Sequence, residues 1–131
     1  MRGRNNTMNE YEAAVLEFHR GFGGPEGEPF GQDRDLLKLR FALIREELEE
    51  LEVAAGEGEM SQIMKELADL QYVVSGFAVT YGLDLQRAFQ LVHESNITKV
   101  KEPQYSETGK LLKGPNYKAP DMSEFEEGEG I

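Results

Sequence analysis

Two stretches of this chain have the period of amphipathic helices, and both carry carboxylates on the face that should be apolar. Advancing about 100° per residue from Leu36, the positions Leu43, Glu47, Glu50 and Ala54 all return to within roughly 40° of the start. Leu37, Ile44, Leu48 and Leu51 lie beside them, whereas Arg45, Glu49 and Glu52 fall on the opposite side, where solvated charges belong. The second stretch repeats the pattern. Glu66 lies within about 60° of the line through Ile63, Leu67, Leu70, Val74 and Tyr81, and Asp69 shares its edge. Carboxylates that face a core are costly unless they are paired or bind metal. A Glu-rich helix is ordinarily a solvated face laced by i,i+4 ion pairs, yet no Lys or Arg stands four residues after any acid of the run Glu46 to Glu52. Two helices that each turn acids inward can instead present four or more oxygen ligands, a set suited to a hard cation such as Mg²⁺ or Mn²⁺.

The rest of the chain must supply a core around those helices. Its 131 residues make one domain, expected to span 1–131 with a loose arm over 1–6 and an acidic, flexible tail over 122–131. There is no cysteine, hence no disulfide, thiolate nucleophile or Cys-based metal site. No apolar run is long enough to span a membrane and Met1 opens no signal peptide, so a cytoplasmic protein is expected. The formal net charge of -11 argues against nucleic-acid and anionic-membrane partners.

Helix boundaries follow from the punctuation. Thr7 to Glu10 reads as a capping box before a first helix with Tyr11, Ala14, Val15 and Phe18 on one face, ended by Gly21, Gly23 and Gly24. The stretch Gly21 to Gln32 is a loop whose Phe22 and Phe30 fold back on the core. Asp33 or Asp35 caps the second helix, which stops at Gly56 to Gly58. Ser61 is expected to cap the third, ending at Tyr81-Gly82, and Asp84 a fourth running from Leu85 to about Ser95. With no strand alternation, the expectation is an all-α bundle of four main helices with an irregular C-terminal loop, Gly109 to Lys118, anchored by Leu111, Leu112 and Tyr117. Neither His19 nor His93 stands three residues after a Glu, so a ferritin-like di-iron bundle is disfavoured.

The acids Glu46, Glu47 and Glu50 followed by Glu66 and Asp69 resemble the signature of the all-α nucleotide pyrophosphohydrolases: MazG-like proteins, phosphoribosyl-ATP pyrophosphohydrolases and the dimeric dUTPases. The likeness extends to Phe18-His19-Arg20, Leu39-Arg40, Leu67 to Leu70 with Tyr72, Val92 to Asn96 with Lys99, and the tail Gly109 to Lys118. It covers about Tyr11 to Asp121. The resemblance implies Mg²⁺-dependent hydrolysis of a nucleoside triphosphate between its α- and β-phosphates, with Mn²⁺ a possible substitute. Glu47, Glu50, Glu66 and Asp69 match the family's metal ligands, and Glu46 or Glu47 the group that orients or deprotonates the attacking water. Arg40, Lys99 and Lys113 are the candidates for phosphate contacts, and Asn96 for the sugar or base. A homodimer or homotetramer is implied by analogy. The loop Gly21 to Gln32, the short turn at Gly56 to Met60 and the added tail depart from a bare phosphoribosyl-ATP enzyme, so a stand-alone (d)NTP pyrophosphatase is preferred. Phosphoribosyl-ATP hydrolysis and a non-catalytic helical interaction module are the alternatives.

Overall fold

The computed structural model describes residues 8–126. Four α-helices, and no strand among the described residues, run in the order α1 (Glu10–Phe22), α2 (Arg34–Glu57), α3 (Met60–Tyr81) and α4 (Leu85–Ile97). A short 3₁₀ turn follows at Ser123–Phe125. The expected all-α, four-helix architecture is the one observed. The chain divides into two compact units, the first ending at Asp84 and the second beginning at Leu85.

In the first unit α3 is central, packed along α2 and against α1. The turn between α2 and α3 is as short as the chain allows. Gly58 closes α2 at φ 82°, a left-handed conformation that suits glycine, and Glu59 is already the N-cap of α3. Ser61 is therefore inside the helix rather than its cap, because the early left-handed closure leaves only one residue to link the two. The first cap also differs from expectation. Asn9, not Thr7, opens α1, its Oδ1 accepting the Glu12 amide at 2.9 Å; asparagine is the stronger N-cap and shifts the box by two residues. Thr7 lies outside the described residues. Asp33 caps α2 as expected, accepting the Leu36 amide at 3.0 Å.

The fully buried line of α1 is Glu12, Val15 and His19, while Tyr11 and Phe18 of the expected apolar face stay about half exposed. The reason lies across the interface on α3, where the close neighbour is Gly76. A β-carbon there would stand 3.1 Å from Arg40 Nη2 and 3.7 Å from His19 Nε2, so the mid-helix glycine is the seat on which α1 and α2 both rest a polar ring or fork. His19 Nδ1 donates to the Pro25 carbonyl at 2.6 Å, and Arg40 Nη1 donates to Thr80 Oγ1 at 3.2 Å. Glu12 accepts the Ser75 hydroxyl at 2.7 Å. The centre of this unit is thus a layer of small and polar groups, which the apolar residues Val15, Ala54, Ala78, Val79 and Tyr81 surround.

The backbone of the loop after α1 folds back, but Phe22, the last residue of α1, and Phe30 both stay largely exposed. Gly27 and Glu28 donate their amides to the carbonyls of Val79 and Thr80 at 3.1 and 2.7 Å, satisfying part of the open C-terminal end of α3. Gly82 permits this approach, since a β-carbon there would lie 3.3 Å from Gly27 Cα. Phe30 then packs on Tyr81 and Phe77 at 5.0 and 6.3 Å between ring centres.

In the second unit the segment after α4 returns along the helix end. Ser95 Oγ donates to the Lys118 carbonyl, the Lys118 amide donates to Thr98 Oγ1, and Asn116 reaches Glu102. Gly114 passes so close that a β-carbon would meet the Glu102 carbonyl at 2.9 Å. Leu111 pairs with Tyr105 in an isolated antiparallel bridge. Within the stretch from residue 122 there is a 3₁₀ turn at Ser123–Phe125, where Glu124 pairs with Arg87 at 3.1 Å. Residues 127–131 lie outside the described part.

Candidate metal centre

The two acidic clusters meet between α2 and α3. Glu47, Glu66 and Asp69 each place one carboxylate oxygen within 4.8 Å of the others. The spacing arises from helix geometry: Glu66 and Asp69, three residues apart, share one face of α3, and the tight turn at Gly58 sets α2 antiparallel beside it. Glu66 is 7% exposed, and Glu47 and Asp69 are half-buried.

Three carboxylates so close repel one another. Burial raises the Glu47 carboxyl above its ordinary range first, and the negative charges of Glu50, Asp69 and Glu66 raise it further. The polar atoms tell the same story. Glu47 Oε1 and Glu66 Oε1 are buried without a hydrogen-bond partner, a costly condition for charged acceptors. Two other oxygens of the cluster have donors, both from α3. Gln62 Nε2 donates to Glu66 Oε2 at 3.2 Å, and Lys65 Nζ to Asp69 Oδ2 at 2.8 Å. A cluster of all-oxygen donors with two unpartnered buried oxygens fits a hard divalent cation, which would satisfy both and reverse the sign of the local field.

The other residues singled out in the sequence are placed as follows. Glu46 and Glu50 are exposed on α2, with Glu50 near enough to Glu47 to perturb it. Arg40 is 7% exposed, its fork turned to Thr80 and Gly76 rather than to solvent; burial lowers its pKa, and Nε has no partner. In the second unit Asn96 is exposed on the last turn of α4. Lys99 and Lys113 hold their ammonium groups 5.8 and 5.3 Å from the centre of the same Tyr117 ring. His93 is exposed and stacked on Phe89.

Two further residues were not singled out in the sequence: Lys65 at the cluster and Glu12, buried on α1. Lys65 was legible in principle, standing four residues before Asp69. Glu12 was not, since its partner Ser75 is 63 positions away.

One acid of α2 and two of α3 meet at this oxygen-rich centre, and the comparison with known families puts the chain in the MazG-like, all-α pyrophosphohydrolase superfamily. The chain belongs to the phosphoribosyl-ATP pyrophosphohydrolase family, whose profile matches residues 15–96. That span holds all five acids, Arg40 and Asn96, but neither Lys99 nor Lys113. An uncharacterized protein of Acanthamoeba polyphaga mimivirus is 32% identical over 97 residues, which cover 70% of this chain and 36% of the relative. The chain thus spans about a third of the length of that curated relative. Pyrophosphohydrolases of this family are typically dependent on a divalent metal. Among the described residues no helix is long and apolar enough to cross a membrane.

Proposed function

We propose that the protein is a Mg²⁺-dependent nucleoside triphosphate pyrophosphohydrolase that converts (d)NTP to (d)NMP and pyrophosphate, keeping the cytoplasmic nucleotide pool clean. The observation that supports it most is the gathering of Glu47 from α2 with Glu66 and Asp69 from α3, where Glu47 and Glu66 each keep one buried oxygen without a hydrogen-bond partner. Glu47, Glu66 and Asp69, with Glu50 one turn along α2, would hold the cation. When bound, it neutralises charge on the phosphate oxygens and acidifies a water. Glu46, exposed and adjacent to Glu47 in the chain, would accept the proton as the water oxygen bonds to the α-phosphorus and pyrophosphate departs with the electron pair of the broken anhydride bond. Lys99 and Lys113, two like charges gathered on one ring, are proposed for phosphate contacts and Asn96 for the sugar or base on the strength of the resemblance alone. Arg40 is given a structural role, because its buried fork is committed to α3.

A second copy of the chain is proposed to cover the apolar side chains left exposed on the first three helices, among them Phe18, Leu39, Phe41, Leu48, Met64 and Leu67. A homodimer or homotetramer in light scattering is the expected result.

The test of the activity is pyrophosphate release from a panel of dNTPs, NTPs, dUTP and phosphoribosyl-ATP, each with Mg²⁺, with Mn²⁺ and with EDTA. Metal-dependent turnover of one or more triphosphates is expected. Turnover of phosphoribosyl-ATP alone would replace the substrate, and silence across the panel from folded protein would refute the activity.

A further inference from the structure

Lys65 stands at the mouth of the acid cluster on α3. Its ammonium is 2.8 Å from Asp69 Oδ2 and 3.7 Å from Glu66 Oε2. Its own side chain is 61% exposed, while those of Glu66 and Asp69 are 10% and 36% exposed. This is an unequal pair: a mobile, solvated cation rests on two carboxylates fixed by the helix packing. Among the described residues no other Lys or Arg forms an ion pair with Glu47, Glu66 or Asp69. The charges of Asp69, Glu66 and Glu47 all hold the Lys65 ammonium in its charged form, with the Asp69 hydrogen bond contributing most. Glu47 receives no comparable relief, its neighbours being carboxylates.

We propose that Lys65 is an internal counter-ion that competes with the divalent cation for Asp69 and Glu66, and so sets the cation concentration at which the centre fills. The inference rests on the metal-centre reading given above. A Mg²⁺ or Mn²⁺ ligand bond is about 2.0–2.2 Å long, so a cation on the Asp69 oxygen that Lys65 holds would lie within a few ångströms of the ammonium. Two positive charges at that distance repel strongly. Filling the centre therefore requires Lys65 to let go and swing outward. The exposed, four-carbon stem makes this motion inexpensive, and the lost ion pair is the free-energy term the cation must overcome.

The competing view is an ordinary i,i+4 pair that holds Asp69 in place for the metal, and it predicts the opposite sign. The deciding experiment measures Mn²⁺ binding to the full chain without nucleotide, by the electron paramagnetic resonance signal of free Mn²⁺, in wild type, Lys65→Met, Lys65→Arg and Glu47→Gln at one pH and ionic strength. Lys65→Met is expected to bind Mn²⁺ roughly two- to five-fold more tightly, the size of one surface ion pair. Lys65→Arg, which keeps the charge, is expected to stay close to wild type. Equal or weaker binding by Lys65→Met, with circular dichroism showing unchanged helicity, overturns the competition. If wild type takes up no Mn²⁺ saturably, or Glu47→Gln binds as wild type does, the metal centre itself is refuted and the competition with it.

Discussion

Replacing Glu47 by glutamine separates the cost of the acid cluster to the fold from its use to the enzyme. Glu47, Glu66 and Asp69 bring oxygens within 4.8 Å of one another. At that separation a pair of unit charges interacts by about 3 to 4 kcal/mol at an effective dielectric of 20 and about 1 kcal/mol in bulk water. Glu47 is half-buried and its charge is spread over two oxygens, so the lower part of that range applies. Removing its charge in the presence of EDTA is expected to stabilise the protein by about 1 to 2 kcal/mol, or roughly 3 to 10 °C in Tm. A glutamine amide can also donate to the neighbouring carboxylates, where Glu47 cannot. In Mg²⁺ the order reverses, since wild type gains stability by binding the ion to the native state alone and the variant does not. The pH dependence has a defined sign. A carboxyl whose folded pKa is raised contributes stability at pH below its unfolded value, and that contribution is lost as pH rises through the folded value. In EDTA, wild type therefore loses stability as pH rises from the ordinary carboxylate range upward, and Glu47→Gln lacks that component. Thermal melts with and without Mg²⁺, read with pyrophosphate release, make the assay. A variant that melts lower than wild type in EDTA, or a wild type indifferent to Mg²⁺, would refute the account of the cluster.

Three further outcomes are expected. Gly76→Ala should lower stability by about 1 kcal/mol in denaturant unfolding despite the better helix propensity of alanine, because its β-carbon would press Arg40 at 3.1 Å in a seat shared with His19; a gain in stability would show that the guanidinium yields freely. Asn9→Ala should cost about 1 kcal/mol by loss of the cap to the Glu12 amide, measured the same way. If Lys113 contacts phosphate as proposed, Lys113→Ala should raise KM for the proposed triphosphate about five- to ten-fold with an unchanged melting curve, its side chain lying in an exposed loop; an unchanged KM would remove it from the phosphate contacts.

Much of this was legible in the chain itself. Helix period, glycine stops and acid caps are local, so the four helices, the stop at Gly58 and the left-handed Gly82 could be read from neighbours in sequence. The inward turn of Glu47 and Glu66 was legible too, because angular position on a helix needs no partner. The register of α1 was not: Glu12 rather than Tyr11 is buried, and that depends on which residue of α3 lies opposite. The caps fall two residues from the expected positions, at Asn9 where asparagine caps with its side chain, and at Glu59 where the short turn after Gly58 and not a side-chain bond fixes the start of the helix.

The sequence alone thus determined that this chain is helical, that it carries an acid pair on each of two helices, and which residues those are, since each property follows from spacing along one segment. Only the tertiary structure decided that Glu47, Glu66 and Asp69 converge on one centre while Glu46 and Glu50 stay exposed. It likewise decided that Gly76 seats Arg40 and His19, and that Lys65 rests on the acids. Those facts depend on how two helices are rotated against each other, and the rotation is set by packing across the interface, which no single segment encodes.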